Sequence, residues 1–429
     1  MCETPVPQPD DSSRSNGVSL GKGASAPQEQ PIVNPVSRKT PTHPNAEAQR
    51  RLAYFTEQRD AIVSTIRELV EIESPSDNKA AVDRIAEAVA QKFSQLGGNV
   101  TVNVRVHPAK DRGNHLQVDF PGKSAAKPVL LLGHYDTVYP FGTLAAMPCR
   151  AVDNKLTGPG VLDMKSGIAL MLHALAALQD WHKELPRPVT VLLVSDEEVG
   201  SDSSRAITEA LAKKAAAVLV LEPAYGFQGA VKTARKGVGG YFVKVTGKAA
   251  HAGLDFQKGA NAILELARQI EKISSFTELR KGLTVNVGVV SGGSRTNVVP
   301  AEAEAQVDVR IARLKDAAGI DKQMRSLRPF NRKCKIEITG GINRPPMERT
   351  AGVAALYAQA AAIARELGWK LGEAAVGGGS DGNFTAALGI PTLDGLGGVG
   401  DGAHALHEHI LISELPRRAV LIAGLIERA

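Results

Sequence analysis

Residues 189–195 form an almost unbroken apolar run, rich in β-branched side chains, that ends abruptly in Ser195, Asp196, Glu197 and Glu198. Such a run, bounded by turn residues, predicts a strand buried on both faces. Similar short runs at 129–133 and 217–221 predict further buried strands, and 100–106 and 116–120 alternate as half-buried ones. The stretch 166–179 has helical periodicity, and residues 47–96 are helical with a break at Ser74-Pro75-Ser76 and a stop at Gly97-Gly98. Strands alternating with helices predict a largely parallel, three-layer α/β sheet.

The pattern changes near residue 230. Strands at 240–246, 283–290, 302–311 and 333–339 and helices at 259–273 and 316–327 follow in β-α-β-β-α-β order, the ferredoxin-like arrangement. Gly340-Gly341 and Pro345-Pro346 close this segment, and a helix at 351–367 resumes the earlier style. The expected organisation is a tail at 1–46, a first domain split into 47–229 and 343–429, and an inserted small domain at 230–342. The tail is rich in Pro, Ser, Gln, Asn and Gly, a composition that disfavours a packed core.

Composition narrows the function classes. With 429 residues the chain has room for a large core. Only 4% of residues are aromatic and the net charge is +6 with dispersed Lys and Arg, which argues against a nucleic-acid binder. Three cysteines without CxxC spacing disfavour a disulfide framework or a thiolate metal site. No apolar run of transmembrane length and no signal-peptide pattern stand out, so no membrane association and a cytoplasmic location are expected.

The chemistry lies at the ends of the apolar runs. Adjacent Glu197 and Glu198 repel each other and call for a nearby cation. His134 and Asp136 follow the run at 129–133, two apart and so on one side of an extended chain. Asp163 follows the Gly158-Pro159-Gly160 turn, where it can cap a helix or bind a metal. Glu222 ends the run at 217–221, and His404, His407 and His409 crowd a Gly-rich loop. Imidazoles and carboxylates in this number suit two divalent ions sharing one carboxylate, with Glu197 left as general base and its charge balanced by the ions.

These segments read GHYDTV, GPGVLDMKSG, SDEEVGS, LEPA, KAAHAG, GGSRTNVVPAEAEAQVDVR, GGGSDGNF and GAHALHEHI. In that order they resemble the di-zinc exopeptidase and deacylase family, which includes glutamate carboxypeptidases, acetylornithine deacetylases and succinyl-diaminopimelate desuccinylases. The likeness is greatest to the glutamate carboxypeptidase branch. The resemblance implies a three-layer α/β catalytic domain with an inserted ferredoxin-like α+β lid and dimerisation domain. It implies two zinc ions per subunit, with manganese or cobalt as alternatives. His134 and Glu222 would hold one ion and Glu198 and His404 the other, with Asp163 bridging. Glu197 would be the general base and Asp136 would orient His134, while His407 and His409 would lie at the surface.

His251 would reach the active site of a partner subunit and polarise the scissile carbonyl, and Asn297 and Arg310 would hold a substrate carboxylate. Residues 228–231 are uncharged where that branch carries a basic residue, which leaves the released side chain open. The implied activity is hydrolysis of an amide to release an amino acid with a free α-carboxylate, from a small peptide or an N-acyl amino acid. An N-acyl-amino-acid deacylase is the competing reading. A metal-free scaffold is disfavoured because every ligand position is filled. A phosphate site at GGGSDG is disfavoured because no GK[ST] follows. Arg235 and Lys236 sit at the domain joint without an assigned role.

Overall fold

In the computed structural model, which describes residues 45–96, 102–182 and 184–429, the apolar runs lie side by side. Six strands order as Asn103–His107, His115–Phe120, Val189–Val194, Val129–His134, Ala217–Val220 and Thr392–Leu393. The last four are mutually parallel. The first two are antiparallel to each other and His115–Phe120 is antiparallel to Val189–Val194, so five of the six strands run one way and the sheet is largely parallel, as expected, with His115–Phe120 reversed. The cause is the short link from His107 to His115, which can join only antiparallel neighbours.

Successive residues of the central strands enter different cores, as a pleated strand requires. Leu131, Val191, Leu193 and Leu219 pack with Ile62, Ile66, Leu175 and Leu421 of the helices on one face. Leu130, Leu132, Leu192, Val194, Val218 and Val220 pack with Ala212 and Ala215 on the other. This double coverage makes the three layers and explains why Val189–Val194 shows no polar alternation. Truncating such a leucine to alanine costs about 2–5 kcal/mol.

The helix Ser166–Trp181 runs against the helix Leu415–Arg428 beneath the sheet. Contrary to the sequence expectation, Val161–Trp181 is long and apolar enough to cross a membrane, yet 83% of its apolar window is buried inside the fold. It is apolar all round because it is a core helix.

A second, wholly antiparallel sheet joins Thr284–Gly292, Glu302–Ile311, Gly237–Thr246 and Lys335–Arg344 in that order. With the helices Ala262–Ser274 and Ala317–Arg325 it encloses a separate core containing Val243, Val245, Leu266, Ile273, Val307 and Ile320. This is the expected lid. Its sheet starts at Gly237, slightly before the strand expected at 240–246, while Val231–Arg235 pairs in parallel with Glu373–Val376, in chain that follows the lid. The expected tail lies outside the described residues up to position 44, as does the Gly97-Gly98 stop. A helix capped by Asn45 begins at Ala46.

Candidate metal centre

Parallel strands present their carboxyl ends along one edge of the sheet, the usual place for a site in open α/β folds. His134 is the last residue of Val129–His134, and Glu197 and Glu198 occupy the tight turn after Val194. Glu222 follows Val220, while Asp163 sits in an irregular turn ahead of Ser166–Trp181. Asp163 does not cap that helix, whose first turn has no side-chain cap. Instead its two oxygens face two histidines. His134 Nε2 lies 3.2 Å from Asp163 Oδ1 and 3.4 Å from Glu222 Oε1. His404 Nε2 lies 3.4 Å from Asp163 Oδ2 and 3.2 Å from Glu198 Oε2.

Two groups result, His134–Asp163–Glu222 and Asp163–Glu198–His404, each with its ligand atoms within 4.8 Å of one another. The five residues expected as ligands are thus brought together, with Asp163 common to both groups. Glu198 Oε1 is buried without a hydrogen-bond partner among the described residues. A buried carboxylate oxygen without a partner, on a residue whose other oxygen meets His404, is an atom that a divalent cation would satisfy, and imidazole plus carboxylate is a donor set suited to zinc or its neighbours.

The electrostatics point the same way. Hydrogen bonds to Asp163 and Glu198 push the His404 imidazole up to about 10. Burial opposes protonation of His134, but Asp136, Asp163 and Glu222 outweigh it and raise its pKa well above the ordinary value. Burial would raise Asp163, yet His134 and His404 hold it well below the carboxylate range. Glu197 and Glu198 are both pushed up, chiefly by burial. Protons on the two histidines here do the work of cations.

Other buried groups steer the candidate ligands. Asp136 accepts from Ser76 Oγ at 2.7 Å and from the main-chain N–H groups of Glu197 and Glu198. The His134 Nδ1 atom lies 3.0 Å from the Asp136 carbonyl and 3.5 Å from its carboxylate, so Asp136 orients the ring with its main chain foremost.

Three steering residues escaped the sequence reading. Glu408 accepts from the N–H groups of Gly160, Leu162 and Asp163 and from Tyr139 Oη, tying the Asp163 turn in place. Arg235 joins Glu222 at 3.1 Å to Asp394 at 2.7 Å. Arg344 Nη2 donates to Glu197 Oε1 at 2.8 Å and to Asp381 Oδ1 at 3.0 Å. The charge on Glu197, expected to be balanced by ions, thus also faces an arginine.

His407 is exposed as expected, but His409 is buried. It belongs to the strand His409–Leu411, held between Lys155–Thr157 and Gly400–Asp401. On the lid, His251 is exposed and its Nδ1 accepts from the N–H groups of Gly253 and Leu254. Asn297 is also exposed and its carbonyl accepts from Ala252 N–H, which places it beside His251. Arg310 pairs with Asp308 at 2.9 Å. The three do not join the metal-ligand cluster through any hydrogen bond or ion pair among the described residues.

Residues 130–428 match the family model described as Peptidase family M20/M25/M40. The chain belongs to that family. This M20 chain is 32% identical over 383 residues to carboxypeptidase G2 of Pseudomonas sp. (strain RS-16), covering 86% of this chain and 90% of the relative. The structure of aminopeptidase PepT from Bacillus cereus superposes with a TM-score of 0.68 at 23% identity, covering 86% of this chain and 98% of that one. The YXEP protein of Bacillus subtilis, described as a dinuclear metal binding peptidase from the M20 family, gives 0.63 at 14% identity, covering 86% and 98%. At such identities these two structures establish a shared fold. The expected family and the α/β architecture with a lid are borne out, and the M20 chain is a hydrolytic enzyme of the metallopeptidase class.

Proposed function

We propose that this M20 enzyme is a carboxypeptidase that hydrolyses an amide bond and releases an amino acid bearing a free α-carboxylate, with two zinc ions as its resident metals. The observation that supports this most is the pair of three-residue groups sharing Asp163. His134 and Glu222 would hold one ion, Glu198 and His404 the other, and Asp163 both. When bound, such ions acidify water and polarise a carbonyl oxygen. The wide sequence likeness to carboxypeptidase G2 favours C-terminal amino-acid release over deacylation.

The chain's own residues carry the rest. Glu197 Oε1 is engaged by Arg344, while Oε2 has no hydrogen bond among the described residues and is the atom to take a proton from water and return it to the leaving amine. Asp136 keeps His134 Nδ1 occupied, so that Nε2 faces the cluster. His251 would polarise the carbonyl, and Asn297 and Arg310 would grip the substrate carboxylate, Arg by its bidentate fork. All three lie on the lid, so substrate must draw the lid and the metal centre together, or a second subunit must supply His251 in a homodimer built through the lid. A cytoplasmic location goes with this reading.

The test is a release assay on metal-loaded enzyme, comparing peptidyl and acylated glutamate, ornithine and neutral amino acids. Faster release from peptidyl substrates supports the carboxypeptidase. Faster release from N-acetyl or N-succinyl substrates replaces it with the deacylase. Manganese and cobalt enter as alternative loadings of the same assay.

A further inference from the structure

The chain crosses between the two bodies twice, and the crossings run together. Arg235 and Met347 exchange both main-chain hydrogen bonds at 3.0 Å, and Val238 pairs with Arg344 across the same ribbon. A Cβ at Gly237 would come within 2.8 Å of Arg344 O and of Pro346 N, so only glycine allows the two crossings this approach. The carbonyls of Lys236 and Pro345 lie between these pairs. Both accept from one side chain: Asn383 Nδ2 donates to Lys236 O at 3.0 Å and to Pro345 O at 2.8 Å. Asn383 Oδ1 accepts from Ser380 N–H at 3.0 Å, and the residue is fully buried.

We infer that Asn383 is the positioning residue of the lid: a single carboxamide, with one proton for each crossing, pins both hinge strands to the catalytic body and sets where the lid pivots. Only a primary amide offers two donors and an acceptor in one short, planar group, which is what two facing carbonyls and one N–H require.

The surrounding GGGSDGNF segment links this pin to the chemistry. Ser380 Oγ donates to Asp394 at 2.6 Å, and Asp394 holds Arg235, which in turn meets the ligand Glu222. Asp381 accepts from Arg344, which sits one residue before Pro345 and faces Glu197. The hinge therefore lies one residue from the groups that orient a metal ligand and the proposed base. Rotation about this point moves His251, Asn297 and Arg310 relative to the centre while leaving the ligand groups where they are. The importance of that rotation rests on the proposed function; the pin itself does not.

The test is a distance measurement on the full chain. Spin labels at Lys214→Cys on the body and Lys322→Cys on the lid, both exposed positions, report the separation of the two bodies in a Cys2→Ser background. Cys149 and Cys334 are buried and stay unlabelled. Asn383→Asp keeps the shape but removes both donors. It should broaden the distance distribution and lower kcat/KM by about tenfold or more, with kcat and KM both altered, while metal content stays as in the parent. Asn383→Ser, which keeps one proton to donate, should broaden it less and serves if the aspartate variant does not fold.

A distribution unchanged from the parent in the folded variant overturns the inference, as does loss of metal without a change in distance. If the parent releases no amino acid from any substrate, the proposed carboxypeptidase falls, and the distance comparison still decides the hinge.

Discussion

Arg344, the last residue of the lid's final strand, donates from one nitrogen to both the carboxylate and the carbonyl of Glu197, at 2.8 and 2.9 Å. The guanidinium also meets Ser201 and Asp381, so a lid residue neutralises two buried acids of the catalytic body. Arg344→Ala removes the one cation that both acids contact directly, in a buried setting. We expect a loss of roughly 3–5 kcal/mol of stability in metal-free protein, read as a lower urea midpoint. Arg344→Lys should recover part of it, since one ammonium keeps the charge but loses the planar fork. An unchanged midpoint in Arg344→Ala would refute the pairing.

Arg235 fills the same role for Glu222 and Asp394. Arg235→Met should cost roughly 3–5 kcal/mol in metal-free protein and less once metal is bound, because a bound cation restores a partner to Glu222 but not to Asp394. Paired denaturation curves with and without metal measure this. Equal losses in both would show that Arg235 acts independently of the ligand.

Glu408 holds three main-chain N–H groups of the turn that carries Asp163. Glu408→Gln keeps an acceptor but loses the charge, and the shared ligand loses its fixed direction. Metal affinity should fall about 10–100-fold for both ions together, as calorimetric titration would show. Loss at one ion only would contradict a turn that serves both groups.

The pH dependence follows from the histidines. The folded pKa of His404 is raised to about 10 by Asp163 and Glu198, and that of His134 is raised as well. A group with a raised folded pKa contributes stability that is complete below its unfolded value, about 6.5, and is lost as pH climbs through the folded value. Metal-free protein should therefore lose melting temperature between about pH 6.5 and 10. Bound metal takes the place of those protons, so the metal-dependent gain in melting temperature should grow over the same range. A constant gap would mean that the histidines are not ligands.

Much of the centre was legible in the sequence, because each proposed ligand either ends an apolar run or sits in a glycine turn: His134, Glu198 and Glu222 after strands, Asp163 and His404 in loops. The β-α-β-β-α-β order of the lid's elements was legible from periodicity alone. The direction of the strands at 103–120 was not, since apolar patterning records burial and not orientation.

The steering residues were hidden for a related reason. Arg344 and Glu197 are 147 positions apart, and Glu408 and Asp163 are 245 apart, so no local pattern ties them together. His409 was misplaced because three histidines in one loop look alike until a strand pairing buries one of them. Arg235 carried a visible sign, a charged residue at a domain joint, but its partner Asp394 lies across the fold.

The division of labour between the adjacent acids is the central claim, and Glu197→Gln tests it most directly. Turnover of the best substrate and metal content are measured on the same preparation. The expected result is a drop in kcat of about 10²-fold or more with two ions still bound per subunit, because the ligand groups centre on Asp163 and exclude Glu197. Wild-type turnover would remove Glu197 as the base, and loss of an ion would make it a ligand.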